Sequence, residues 1–319
     1  MKRSKSRVTR PAAAKSTEKR GRWGKKIVIP KDRIPYILAV LVLTGLFAAG
    51  GVASGQSRLD MNVLSDPTEL AHVQSDVFPQ EGFKTKVVLG DAIPKLVESG
   101  VINLDKIREL YGDRLTEEQL RLFTEPTNEH LVLTPQNANS LINPLWALGI
   151  ANKNPILDET LEYEGVGNLA STGGWSLAKE DAMTYYNKLE IVKLTSEQQT
   201  VFEKVARSTY RPCCDNPTAF PDCNHGAALL ALLELGASQG LNEDELYTLA
   251  LQANTLWFPQ QYLSTATLYK AEGKDYWSDA RTIVGFDYSS YSGWAKNVYK
   301  PLQDKGLLPK AEGGGSCGV

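Results

Sequence analysis

The sequence predicts an all-α fold: one N-terminal transmembrane helix followed by a compact multi-helix extracytoplasmic domain. Three observations carry that expectation. Apolar residues recur at helical spacing through most of 93–300, the stretches that carry them open on Asn or Thr caps or stop at Gly, and the segment from Ile34 to Ser57 holds no charged residue. A span of about 20 apolar residues is what a membrane helix requires.

The chain divides by charge. Residues 1–33 carry 13 Lys or Arg against Glu18 and Asp32, a net of +11, so with −2 for the whole chain the remainder is −13. A tail this basic and this poor in apolar residues is expected to be disordered and to meet anionic lipid headgroups. Lys25, Lys26, Lys31 and Arg33 flank the apolar run on its N-terminal side. By the positive-inside rule they hold that side in the cytoplasm and leave the acidic remainder outside the cytoplasmic membrane, on a single-pass signal anchor over 34–55. Gly51, Ala53 and Ser54 leave cleavage open, but the basic segment is long and the apolar run exceeds a secretory h-region. With no cysteine after the run, a lipoprotein anchor is excluded. Residues 56–92 read as a stalk, 93–300 as the helical domain and 301–319 as a flexible C-terminal tail.

Within the domain, Gly100 and Gly112 stop two short helices, the second opening at Asn103, and Thr116 caps a third. Thr134-Pro135 is expected to start a helix running through Leu141 and Leu145 to Gly149. Ser176–Leu189 is expected to be helical, and Thr195-x-x-Gln198 is a capping box that opens a helix to Tyr210. The Ala/Leu-rich run after Gly226 is a strong helix former with Asn224 as its expected cap, and further helices follow from Asn242 to about Trp257 and from Pro259 onward. Gly173-Gly174-Trp175 reads either as a ligand frame or as a tight turn with its anchor, the turn being the commoner use.

The chemistry concentrates in 211–226, Arg-Pro-Cys-Cys-Asp-Asn-Pro-Thr-Ala-Phe-Pro-Asp-Cys-Asn-His-Gly, which gathers three of the four cysteines and one of the three histidines. Pro212, Pro217 and Pro221 keep helix and sheet from absorbing it, so its thiols sit on a stiff loop. Cys213, Cys214, Cys223 and His225 form a soft ligand set suited to a copper or zinc ion. In this reading Cys214, Cys223 and His225 are the core ligands and Cys213 is auxiliary, since adjacent cysteines seldom both ligate one tetrahedral ion. Two other readings stay open. One is a thiol-disulfide or sulfur relay using Cys213, Cys214 and Cys223 with Cys317 of the Gly-rich tail as a mobile fourth thiol; the other is a non-catalytic envelope protein whose loop is clamped by a disulfide from Cys223 to Cys213 or Cys214. The implied partners are the membrane and a protein that donates or accepts metal or thiols.

The R-P-C-C…F-P-D-C-N-H-G string, with Trp257-Phe258-Pro259-Gln260-Gln261-Tyr262 and the terminal G-G-G-S-C-G-V, resembles a family of membrane-anchored prokaryotic proteins and implies no particular activity. Locally, Pro212-Cys213-Cys214 is similar to the twin-cysteine motif of the copper chaperone for cytochrome oxidase assembly. The tail resembles the C-terminal cysteine arm of the sulfur-relay protein that serves dissimilatory sulfite reductase.

Other classes lack their signatures. There is no H-E-x-x-H, C-x-x-C-H or G-x-x-x-x-G-K; the G-x-S-x-G spacings fall at the end of the Ala/Leu-rich run (236–240) and in the Gly-rich tail (314–318), and the G-x-G-x-x-G spacing in that tail (313–318), none of them on the strand-to-helix turn such motifs need. The acidic domain disfavours nucleic acid. Four cysteines are too few for a disulfide scaffold, and a chain of this length buries a core without one.

Overall fold

The computed structural model describes residues 67–308 apart from Glu164. The expected basic tail, the span over 34–55 and Cys317 lie outside the described residues. Among the described residues no helix is long and apolar enough to cross a membrane.

The described chain is mostly helical, as expected of a mainly α fold, and adds one two-stranded sheet. Its longer elements run α1 (Pro67–Val77), β1 (Phe83–Gly90), α2 (Ala92–Ser99), α3 (Leu104–Tyr111), α4 (Glu117–Thr124), β2 (Thr127–Leu133), α5 (Ala138–Ala151), α6 (Pro155–Leu161), α7 (Ser196–Ser208), α8 (Asn224–Ser238), α9 (Glu243–Trp257) and α10 (Pro259–Ala271). β1 and β2 pair antiparallel, Phe83 opposite Leu133 and Gly90 opposite Thr127. Along β1 the side chains alternate: Phe83, Thr85, Val87 and Leu89 turn inward or partly inward while Lys84 and Lys86 face solvent.

The core is laid around α8. From Gly226 to Ala237 every residue of that helix is buried, as a helix apolar on all faces must be. α5 is its main neighbour, and the two backbones approach closely where a Cβ on Gly149 would lie 1.9 Å from the Ala227 carbonyl oxygen. α7 and α9 cover the remaining sides of α8. The Thr116, Thr195 and Asn242 caps form as expected, each reciprocated by the side chain three residues on.

Four expectations are corrected. The stalk over 56–92 holds, from Pro67 on, α1 and β1, and Val73, Val77, Val87 and Leu89 are core residues. The tail over 301–319 still belongs to the domain at its start, since Lys300–Asp304 is helical and Leu302 is buried against Leu268 and Val298. Between Ser176 and Leu189 only Ala182–Tyr185 is helical, because Asn187 takes a left-handed backbone (φ 57) and Asn187, Lys188 and Leu189 hydrogen-bond instead to the end of α5. α5 starts at Ala138 rather than beside Thr134, whose carbonyl and hydroxyl hold a turn with Asn137.

Candidate metal centre

The loop that delivers the cysteines runs from Tyr210 to Cys223, between α7 and α8. It closes back on its own start: the Thr218 N–H and hydroxyl both donate to the Thr209 carbonyl, at 2.8 and 3.1 Å, and the Ala219 N–H donates to Ala206 at 2.9 Å. Neighbouring segments fix its outer edge. The Tyr291 N–H donates to the Cys214 carbonyl (3.0 Å), the Ser292 N–H to the Asp215 carboxylate (2.8 Å) and the Ser171 N–H to the Asp222 carbonyl (3.0 Å). Gly173-Gly174-Trp175 thus belongs to a turn beside the loop, with the Trp175 indole anchored on the Val101 carbonyl.

Three sulfurs converge at this point. Cys213, Cys214 and Cys223 are free thiols, half-buried, with their sulfurs all within 4.8 Å of one another and Cys213 Sγ 3.5 Å from Cys223 Sγ. Metal–sulfur bonds of about 2.3 Å place sulfurs about 3.8 Å apart on a tetrahedral ion and about 4.0 Å apart on a trigonal one. The observed spacing brackets both, and the three cysteines can hold a metal ion. Adjacent Cys213 and Cys214 both take part because the turn after Arg211, closed by the Cys214 N–H on the Arg211 carbonyl (3.3 Å), brings them to one side.

Arg211 stands behind the sulfurs and is fully buried. Its Nε donates to Cys223 Sγ (3.3 Å), its Nη1 to the Asn216 carbonyl (3.0 Å), and its Nη2 pairs with the Asp222 carboxylate, whose other oxygen accepts from Asn216 Nδ2 (2.8 Å). A guanidinium is buried only when its donors are answered and its charge is matched, and this network does both. Space for it is made by Gly226, where a Cβ would meet Arg211 Nη2 at 2.5 Å. The nearby Cys223, Cys214 and Cys213 sulfurs and Asp222 raise the Arg211 pKa despite its burial, so it stays charged.

The sulfurs differ electrically. Hydrogen bonds from Cys213 and Cys214 hold the Cys223 thiol well below its ordinary value, helped by the Arg211 charge and opposed by burial. Cys223 is also the N-cap of α8, its sulfur accepting from the Gly226 N–H at 3.3 Å, where helix dipoles favour a thiolate. This corrects the expected Asn224 cap. Cys213 moves up because its hydrogen bonds to Cys214 and then Cys223 are lost on ionisation, and burial adds to the effect.

His225 does not join the cluster. The group within 4.8 Å contains the three cysteines alone among the described residues, so the Cys-x-His ligand reading is corrected at its last member. Successive side chains on a helix fan out by about 100°, and His225, one residue inside α8, is carried onto Phe258 (ring centroids 4.6 Å apart) and Trp257 (6.0 Å). Burial lowers its pKa, which favours the neutral ring. Its ring nitrogens make no hydrogen bond among the described residues, and the ring lines a cavity beside the loop. Arg211 and Asp222, which organise the site, escape a search for soft ligands; their sequence signal is a charge two residues before Cys213 and another one residue before Cys223.

Compared with known proteins, the chain matches no protein-family model, no curated protein and no solved structure.

Proposed function

We propose that the protein is a membrane-tethered, extracytoplasmic binding protein for a thiophilic metal ion, with Cys213, Cys214 and Cys223 as its ligands. The supporting observation is the convergence of three sulfurs to within 4.8 Å of one another against a buried, permanently charged Arg211. Three thiolates around one monovalent ion leave a net charge of −2, and a guanidinium touching one of them offsets part of it. Copper(I) fits better than zinc, since soft sulfur donors select it and no fourth described ligand completes a zinc tetrahedron. The membrane tether and the location outside the cytoplasm rest on the uncharged run and its basic flank.

The test is anaerobic loading of the reduced full-length chain with copper(I) or zinc, followed by metal analysis. About one copper per chain, lost in Cys223→Ser, is the expected result; a chain that retains no metal, or a variant that binds as the parent does, refutes the assignment.

A second reading is favoured by one specific observation, the 3.5 Å separation of Cys213 and Cys223. With Cys223 held towards thiolate, the pair is placed to form a disulfide, giving two electrons and two protons to a partner disulfide that becomes two thiols. Thiol counting separates the readings: the metal-loaded loop keeps three protected thiols, whereas in a relay the loop cycles between three free thiols and one, Cys317 being counted apart.

A further inference from the structure

Separate from the sulfur cluster, the fold leaves a cavity of about 510 Å³. That lies in the range of roughly 300–1,000 Å³ typical of small-molecule sites. Its wall includes the first turns of three long helices: Asn139 and Ser140 of α5, Asn224 and His225 of α8, Gln260 and Gln261 of α10. An uncapped helix start offers unpaired N–H groups and about half a positive charge; in α8 the first N–H groups are answered by Asn224 Oδ1 and the Cys223 sulfur, so the open starts are those of α5 and α10. Neither α5 nor α10 has a capping side chain. In α10 the first N–H with a partner is that of Tyr262, on Phe258, so the Gln260 and Gln261 N–H groups are unpaired among the described residues.

Other charges in the wall agree in sign. Arg114 lines the cavity and makes no ion pair among the described residues; its guanidinium contacts the Leu110 and Tyr111 carbonyls at 3.3 and 3.4 Å, which quiets the carboxyl end of α3. The carboxyl ends of α3 and α9 both arrive there, two negative ends against the open starts of α5 and α10 and the Arg114 charge. No Asp or Glu lines the cavity, although the chain beyond residue 33 carries a net −13. Asn143, only 8 % exposed, lends one amide hydrogen to the Tyr111 hydroxyl (2.9 Å), and its carbonyl oxygen has no partner among the described residues. Trp257, Phe258 and Ile142 give the wall an apolar part.

We propose that this cavity binds a small organic anion, a carboxylate or phosphate monoester with an apolar body. The anionic head is received by the first turns of α5 and α10 and by Arg114, and the body lies against Trp257 and Phe258. The site is independent of the metal reading.

The full-length chain is titrated calorimetrically with phenyl phosphate and phenylacetate, and with benzylamine and benzyl alcohol as cationic and neutral controls. Saturable binding of at least one of the two anions, weakened by added salt and absent for benzylamine, is expected; comparison of the two anions identifies the head group. Gln260→Glu places a carboxylate in the first turn of α10, where it favours the helix but repels an anion. Binding is expected to weaken about tenfold or more while the thermal midpoint stays or rises. Arg114→Gln weakens it too, and Cys223→Ser leaves it intact. Anions that bind no more tightly than benzyl alcohol, or a Gln260→Glu chain with parental affinity, overturn the proposal.

Discussion

α8 meets two buried charges, Arg211 at its start and Glu234 in its later turns, and the fold treats them in opposite ways. Arg211 is surrounded by groups that are or can become negative: Asp222 and the three cysteines. Glu234, 2 % exposed, has only neutral partners, its Oε1 accepting from Asn152 Nδ2 (2.9 Å) and Asn154 Nδ2 (2.7 Å). Burial therefore raises its pKa to about 7, and the two amide hydrogen bonds only partly resist. The first environment preserves a charge and biases sulfur towards thiolate; the second favours the neutral acid. In the proposed centre the buried Arg211 would offset thiolate charge, whereas the Glu234 network ties α8 to the turn after α5.

The largest effect is expected at Arg211. Arg211→Met leaves the half-buried Asp222 carboxylate without its cation, and since loss of one member of a fully buried pair costs about 3–5 kcal/mol, a loss of about 2–4 kcal/mol is expected at this partly exposed one; denaturant unfolding measures it, and a loss under 1 kcal/mol breaks the contrast. Glu234 comes next. With a folded pKa of about 7 above the unfolded value of 4.5, the native state holds the proton more tightly, so stability is greatest below the unfolded pKa and falls as pH rises through 7. The decline amounts to something on the order of 3 kcal/mol. Glu234→Gln keeps an oxygen acceptor without a charge, so its stability is expected to be flat from pH 5 to 8 and above the parent's at pH 8. An unaltered pH profile would place the titration elsewhere.

Smaller changes sharpen the comparison. Gly226→Ala pushes a methyl into the Arg211 guanidinium, and overpacking of this kind costs about 1–3 kcal/mol. Cys223→Ser changes stability least, by less than about 1 kcal/mol, because a serine hydroxyl also caps a helix well. A loss of several kcal/mol would instead favour the structural disulfide, whose removal typically costs about 2–5 kcal/mol.

Much of this was legible in the residues. Caps at Thr116, Thr195 and Asn242 form because the signal and the structure that answers it lie three residues apart. The cysteine loop was legible for the same reason: its prolines and thiols are neighbours in sequence. The alternation Phe83, Thr85, Val87, Leu89 between Gly82 and Gly90 also reads as a strand, and treating 56–92 as a stalk passes over it. β2 gives no such signal, since Asn128, Glu129 and His130 are exposed and only pairing with β1 makes them a strand. His225 was misplaced because spacing along a chain says nothing of where a helix turns a side chain. Arg211 and the cavity depend on contacts between distant elements, and no local pattern announces them.

Metal analysis of the reduced full-length chain beside Cys223→Ser, loaded anaerobically with copper(I) and compared by thermal unfolding, tests the central claim most directly. About one copper in the parent, none in the variant and nearly equal unfolding of the two apo chains is the result the three-sulfur centre requires. A parent chain without copper, or a variant that keeps it, contradicts the account.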